Sequence, residues 1–434
     1  MEFNPMFNPL RRTIFGVRHA TCAVLLLFAA AAAATQAIPL ASPDGNLRVT
    51  LMQGEDGGLS YRVDYKGKPV ILPSRLGVAL SDGTDLSRGF AAIRPEHVLR
   101  DETNLVWKPP YGERAIVSDH FRELGFGVEH HAVPDAAVMF VFRAYNAGIA
   151  FRYAVPAPLR LRASITNELT EFTFTGDHRA WPVYFAQGEY KPETLSTVKK
   201  GAERPLTVET TEGPVAAIGE AALIDFARMK FAPAPGKAYT LKADLDGPVS
   251  LKKSGVSPWR YVMVADNACR LLENNDFILN LNEPSRIADT SWIKPGKVIR
   301  ETSLTTRGGL ACVDFAKTMN LQYIEFDAGW YGHEYDDASD ARTVTLDPKR
   351  SKGPLDLPKV IRYAKENGIG VILYVNRREL ERRLDELLPL YTSWGIVGMK
   401  YGFVNVGSQK WTVWLSDAIR KAGEARMMID IHDE

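Results

Sequence analysis

Between about residues 38 and 283, apolar and polar positions alternate in short runs such as LRVTLMQ (47–53) and LSYRVDYKG (59–67). Turn signals at Asp44-Gly45-Asn46, Glu55-Asp56-Gly57-Gly58 and Ser81-Asp82-Gly83 cut these runs apart. A period of two buries one side of each run and wets the other, which is the pattern of β-strands. The stretch MFVFRAYNAGIAFRYAVP (139–156) predicts a hairpin whose strands flank Tyr145-Asn146-Ala147-Gly148. Strands this frequent, with few helical stretches between them, predict a sandwich of two packed sheets.

The pattern changes near Asn282-Glu283-Pro284-Ser285. Five runs then read as buried strands: VIRETSL (298–304), LQYIEFDAGW (321–330), GIGVILYV (368–375), IVGMKYGFV (396–404) and RMMIDIHDE (426–434). They alternate with amphipathic helical stretches over 309–320, 356–368 and 377–395. Strand and helix in alternation mean βαβ units and a parallel sheet. An open doubly wound sheet is one solution. It is disfavoured because no Gly-rich phosphate turn follows the first strand, and because acids and aromatics stand at several strand tips instead of one crevice. A closed eight-stranded barrel takes about 250 residues, so the five units predict a barrel that stops after its fifth strand. The expected fold is therefore multidomain β and α/β: a β-sandwich over 38–284, then an incomplete (β/α)8 TIM barrel of about five βα units over 285–434.

Charge narrows the partners. Lys and Arg number 53 against 52 Asp and Glu, so no field gathers nucleic acid or an anionic membrane, and a neutral ligand suits the balance. Arg11, Arg12 and Arg18 precede the apolar run CAVLLLFAAAAAA (22–34) and the small residues of Thr35-Gln36-Ala37, which reads as a signal peptide over 1–37. The run is shorter than the roughly 20 residues that span a bilayer, so cleavage leaves no membrane anchor and the protein is expected to be exported, periplasmic or secreted. Cleavage would leave two cysteines, Cys269 and Cys312, whose pairing stays open, and no Cys/His spacing indicates zinc.

Candidate chemistry lies at the strand ends, where parallel barrels place it. Glu325 and Asp327 share one side of their strand, and Trp330 follows, offering carboxylates for sugar hydroxyls and a ring for the apolar face of a pyranose. The plain alternative is a solvated acidic loop and a core tryptophan. Lys400 and Gly402 stand near the fourth tip, where Lys400 either donates to substrate oxygens or pairs with a neighbouring acid. His432 and Glu434 share a face of the fifth strand, with Glu434 a candidate general base and His432 a partner for it or for a substrate hydroxyl. Glu189, in YFAQGEYKPETLS (184–196), is a candidate oxygen ligand for a hard cation, although exposed loop glutamates are common.

Taken together, RAYNAGIAFRY (143–153), WIKPGKV (292–298), YIEFDAGWYG (323–332), IVGMKYGFV (396–404) and the terminal His-Asp-Glu resemble glycoside hydrolase family 97, a family of α-glucosidases and α-galactosidases. The resemblance runs from about residue 40 to the end. It implies an N-terminal β-super-sandwich, a (β/α)8 catalytic barrel and an α-glycoside or oligosaccharide substrate. It also implies a Ca²⁺ ion, with Glu189 as the ligand from the sandwich, while Asp327, Trp330, Lys400 and His432 are expected to bind substrate from their strand-tip positions. Retaining members carry an Asp nucleophile in a Lys-x-Asp-Phe pattern at the fourth tip. Gly402 stands at that place here, so the resemblance points to the inverting branch with Glu434 as general base. The family's general acid and remaining calcium ligands have no counterpart in the chain, so it is expected to be a truncated, inactive form of an α-glucosidase-like enzyme. A non-catalytic carbohydrate-binding protein and a sugar isomerase or epimerase are the alternatives. Gluco and galacto specificity are not separable at this level.

Overall fold

The computed structural model describes residues 36–432 apart from Glu212 and Ser254. Two antiparallel sheets face each other in the first part. One has seven strands in the order Gln36–Ala41, Leu47–Gln53, Leu59–Tyr65, Lys68–Arg75, Glu171–Phe174, Thr240–Leu245 and Met229–Pro233. The other has nine and ends in the long strands Val133–Tyr145, Val117–His130 and Val98–Trp107. The expected hairpin is present: Val133–Tyr145 and Gly148–Ala154 pair across a turn at Asn146 and Ala147.

Alternation explains the packing. Leu47, Val49 and Leu51 are buried while Arg48 is exposed. Tyr61 of the first sheet reaches Phe151 of the second at 4.8 Å between ring centroids, inside one apolar core shared by both sheets. Within that core lies an ionic triad. Arg260 is fully buried and donates to Glu168 at 2.6 and 2.8 Å and to Glu220 at 2.6 Å.

The first 35 residues of the expected signal peptide lie outside the described residues. Ala37, the expected cleavage point, pairs with Met52 in the first strand. Cys269 and Cys312 are free thiols. Among the described residues, no helix is long and apolar enough to cross a membrane.

The second part is a five-stranded sheet of β1 (Val298–Glu301), β2 (Tyr323–Phe326), β3 (Gly370–Asn376), β4 (Gly398–Gly402) and β5 (Met428–His432). Four helices connect them: α1 (Thr306–Thr318), α2 (Leu357–Glu366), α3 (Arg377–Trp394) and α4 (Gln409–Glu424). Local chemistry sets the helix starts. Thr305, Asp356 and Asn376 each accept a hydrogen bond from a first-turn backbone N–H, and Gly395 ends α3 at φ +86°. Every strand pair is parallel, and spatial order equals chain order. Val313, Val360, Leu384 and Ala418, one from each helix, join Ile324, Phe326, Val371 and Leu373 in a single apolar cluster. The helices therefore cover one face, and the strand-order reversal that defines a doubly wound sheet is absent among the described residues, which rules out that alternative.

The loop between β4 and α4 is fastened to the sandwich. Arg228 N donates to Gly407 O at 2.7 Å. Gln409 accepts from Ser250 N and donates to Ser250 O and Asp225 Oδ1, each at 2.8 Å.

Candidate active site

Strand register places the polar residues on the sheet face away from the helices. Arg300 is level with Glu325, Tyr374 with Lys400 and Asp430, and Asn376 with Gly402 and His432. Side chains alternate faces along a strand, so one surface carries Glu325, Tyr374, Asn376, Lys400, Asp430 and His432, rising toward the C-terminal strand ends.

At mid-height Lys400 Nζ lies 3.3 Å from Glu325 Oε1, close enough for ion pairing but outside hydrogen-bond geometry. Both side chains are buried. Burial pushes the Glu325 carboxyl up from its ordinary range, the Lys400 charge works against that rise, and Asp327 and Asp430 add to it. Lys400 thus pairs with an acid, as its plain alternative reading had it, and its ammonium also lies 5.9 Å from the Tyr374 ring centroid.

The sign of this arrangement is testable. An acid whose folded-state pKa is raised contributes stability below its ordinary pKa and loses it as pH rises through the folded value. Lys400→Met removes the opposing charge, so the variant is expected to lose stability more steeply than the parent as pH climbs above the ordinary glutamate range. Thermal melts of both proteins across pH check this, and parallel pH profiles would refute it.

Asp327 sits at the tip of β2, where Arg300 Nη1 contacts its Oδ2 at 2.8 Å and its Oδ1 accepts from Ala328 N at 2.7 Å. Trp330 requires a correction. It is fully buried, packed against Tyr331, Tyr391 and Trp394, with Nε1 donating to Tyr374 O at 2.8 Å. No face remains for a pyranose, so the stacking role expected of it does not stand.

An open aromatic surface exists elsewhere. Phe403, 41% exposed, follows β4 in the left-handed region at φ +53° and meets the His432 ring edge-on at 5.4 Å and the 47% exposed Tyr335 at 6.4 Å. A non-glycine residue held at positive φ costs energy, and such strain concentrates at functional sites.

Beneath the tips runs a buried polar network that the sequence did not reveal. Glu334, from the loop after β2, accepts from Tyr374 Oη, from Arg350 Nη2 at 3.2 Å and from Asn376 Nδ2 at 3.4 Å. Tyr374 and Asn376 were readable by alternation along β3. Glu334 reads in the sequence as one acid of a solvated polar loop, because its burial depends on how a long loop folds back.

Gly402 is tightly enclosed. A Cβ built there would overlap two atoms of the Tyr374 ring and its hydroxyl oxygen. The space a side chain at this tip would need is filled by that ring.

Asp433 and Glu434 lie outside the described residues, so the site is built without Glu434. Glu189 lies on an exposed loop of the sandwich, its side chain 75% exposed and 3.0 Å from Lys191 Nζ. Among the described residues no group of three His, Cys, Asp or Glu side chains gathers to hold a metal. Glu189 is one carboxylate, whereas Ca²⁺ takes about six to eight oxygen ligands.

Comparison with known proteins decides the family. Residues 40–284 match the model described as glycosyl-hydrolase 97 N-terminal, and residues 291–434 match glycoside hydrolase 97. The chain belongs to glycoside hydrolase family 97. Among its relatives is a retaining alpha-galactosidase of Bacteroides thetaiotaomicron, 24% identical over 91% of this chain and 64% of that protein. Another is a probable retaining alpha-galactosidase of Streptomyces bingchenggensis, 26% identical over 98% of this chain and 67% of that one. The chain thus spans about two thirds of the length of the curated relatives it matches. A family 97 enzyme from Pseudoalteromonas sp. strain K8, solved with acarbose and with panose, superposes at a TM-score of 0.79 with 25% identity, covering 91% of this chain and 66% of that one.

These names correct one expectation. Gly402 pointed to the inverting branch, yet both relatives are named as retaining enzymes. The inverting assignment is overturned, and the general-base role given to Glu434 within it falls too.

Proposed function

We propose that this family 97 protein hydrolyses α-glycosidic bonds in oligosaccharides at the C-terminal ends of its parallel strands. One observation carries the reading: the C-terminal strand ends carry Asp327 and His432, with the open ring of Phe403 against His432. A carboxylate and an imidazole suit sugar hydroxyls, and an exposed ring suits the apolar side of a pyranose. Trp330 takes no part in this face.

The sheet is proposed to be part of a (β/α)8 barrel. Unreversed strand order, helices on one face and polar layers on the other support this, since a barrel winds in a single direction around a side-chain-filled interior. Asp327, oriented by Arg300 and the Ala328 amide, is proposed to accept a substrate hydroxyl, and Phe403 to support the ring behind it. Export, with loss of the N-terminal segment, is proposed as the setting.

The relatives' names and the bound sugars of the neighbouring structure make α-galactosides and α-glucosides the substrates to try. The protein is expected to release p-nitrophenol from p-nitrophenyl α-galactoside or α-glucoside. Asp327→Asn is expected to lower kcat/KM by roughly tenfold to a hundredfold, the worth of a hydrogen bond to a charged group. If neither glycoside is cleaved, or if the variant matches the parent, the proposal fails.

A further inference from the structure

We infer that the sandwich strand Val98–Trp107 is a self-association edge, through which two copies of this chain pair antiparallel about a two-fold axis at Thr103. Three observations carry this.

The first is an edge left open. Among the described residues Val98–Trp107 ends the nine-stranded sheet and pairs on one side only, with Val117–His130. At ten residues it is the longest edge strand of the described sheets. Glu102 N donates to the carboxylate of its neighbour Asp101 at 2.8 Å, so that N–H turns to a side chain instead of a further strand. Long open edges offer N–H and C=O groups to another strand, and proteins ordinarily shorten or cover them.

The second is apolar surface on both sides of the same strand. Leu99, Leu105 and Val106 are 69%, 57% and 70% exposed. Side chains alternate faces, so Leu99 and Leu105 lie on one face and Val106 on the other. A strand wet on both faces is covered on both by a further strand, whereas a helix laid against it covers one.

The third is self-complementarity, which names the partner. A two-fold axis perpendicular to the sheet keeps like faces together and uses the same residues twice. Set at Thr103, it places Thr103 against Thr103, Leu99 against Trp107, Arg100 against Val106, Asp101 against Leu105 and Glu102 against Asn104. No like charges then stand opposite. Moving the axis to Glu102 sets that acid against itself, and moving it to Asn104 sets Arg100 against Lys108; like charges in these places oppose pairing. Glu102 is already held by His120 Nε2 at 2.9 Å and Arg122 Nε at 3.0 Å, so the middle of the pair carries little unspent charge.

Sedimentation of the whole chain over a concentration series tests this, and a monomer–dimer equilibrium is expected. Val106→Lys sets a lysine against Arg100 on both sides of the axis and is expected to weaken the dimer roughly tenfold. Adding Arg100→Glu turns that contact into an opposite-charge pair and is expected to restore association. Both positions are exposed, so neither change strikes the core. The register has its own reading. Residues directly opposite in an antiparallel pair stand about 4.5–5.5 Å apart at Cα, within the span of a disulfide. Thr103→Cys in a Cys269→Ser background is therefore expected to crosslink under mild oxidation, and Arg100→Cys in the same background is not. The inference is overturned if the chain stays monomeric at the highest concentration reached, or if Val106→Lys associates like the parent. It is equally overturned if the double variant stays as weak as Val106→Lys, or if Thr103→Cys crosslinks no more readily than Arg100→Cys. Glycoside cleavage enters none of these readings, so this inference and the proposed function stand or fall separately.

Discussion

Arg260→Met is expected to lower the stability of the protein by about 3–5 kcal/mol, the usual result of removing one member of a buried ion cluster. Arg260 is fully buried between Glu168 and Glu220 and satisfies both carboxylates with three hydrogen bonds. Methionine nearly fills the volume but leaves two acids in the core without their cation. Glu220 keeps Arg204 and the Met229 amide as donors. Among the described residues Glu168 keeps only Thr170 Oγ1 as a donor and therefore bears most of the loss. The accompanying expectation is that Glu168→Gln with Arg260→Met costs clearly less than the sum of the two single changes, because the second removes a charge already stranded by the first. Urea unfolding of the four proteins measures this. A single-variant loss under about 1 kcal/mol would show that the core tolerates the unpaired acids and would refute the expectation.

The other large effect is expected at Gly402. An added methyl group would overlap the Tyr374 ring, and overpacking of a filled core costs about 1–3 kcal/mol and sometimes more. The upper end is expected for Gly402→Ala, because Tyr374 cannot swing away without also leaving Glu334 short of a donor. In a Tyr374→Ala background the ring is gone, so the same glycine change should cost much less. Equal costs in the two backgrounds would show that the ring is not what restricts the position. The chemical corollary concerns where a reacting carboxylate can stand. At this tip Gly402 supplies none, and the occupied space keeps a larger residue from being introduced without rebuilding β3.

How much of this was legible in the sequence depended on how local each cause was. Alternation along 139–156 was enough for the hairpin, since two-residue periodicity and a turn at Asn146-Ala147 act within one stretch. The five parallel strands were legible for the same reason, each being a short apolar run that alternates with amphipathic helical stretches. Asp327 and His432 were located by strand-tip position, and the structure puts both at the C-terminal ends. Trp330 was misread because a tryptophan just past a strand end looks the same whether it lines a site or plugs a core. The deciding contacts come from Tyr391 and Trp394, more than sixty residues later in the chain. Phe403 was passed over for a related reason, since its openness results from a backbone turn at positive φ that no single residue announces. The pairing of Arg204 with Glu220 was invisible because its partners stand 16 residues apart and meet only when Leu206–Glu209 pairs with the strand that carries Glu220.

The side chain of Gln409 has a consequence for how the protein can change over generations. Its amide is committed to Ser250 and Asp225 of the sandwich while its own backbone opens α4. Ser250 takes part through backbone groups that any residue but proline keeps, so the clasp depends on Gln409 and Asp225, and recombination that exchanges Gln409 for another residue starts with a broken clasp.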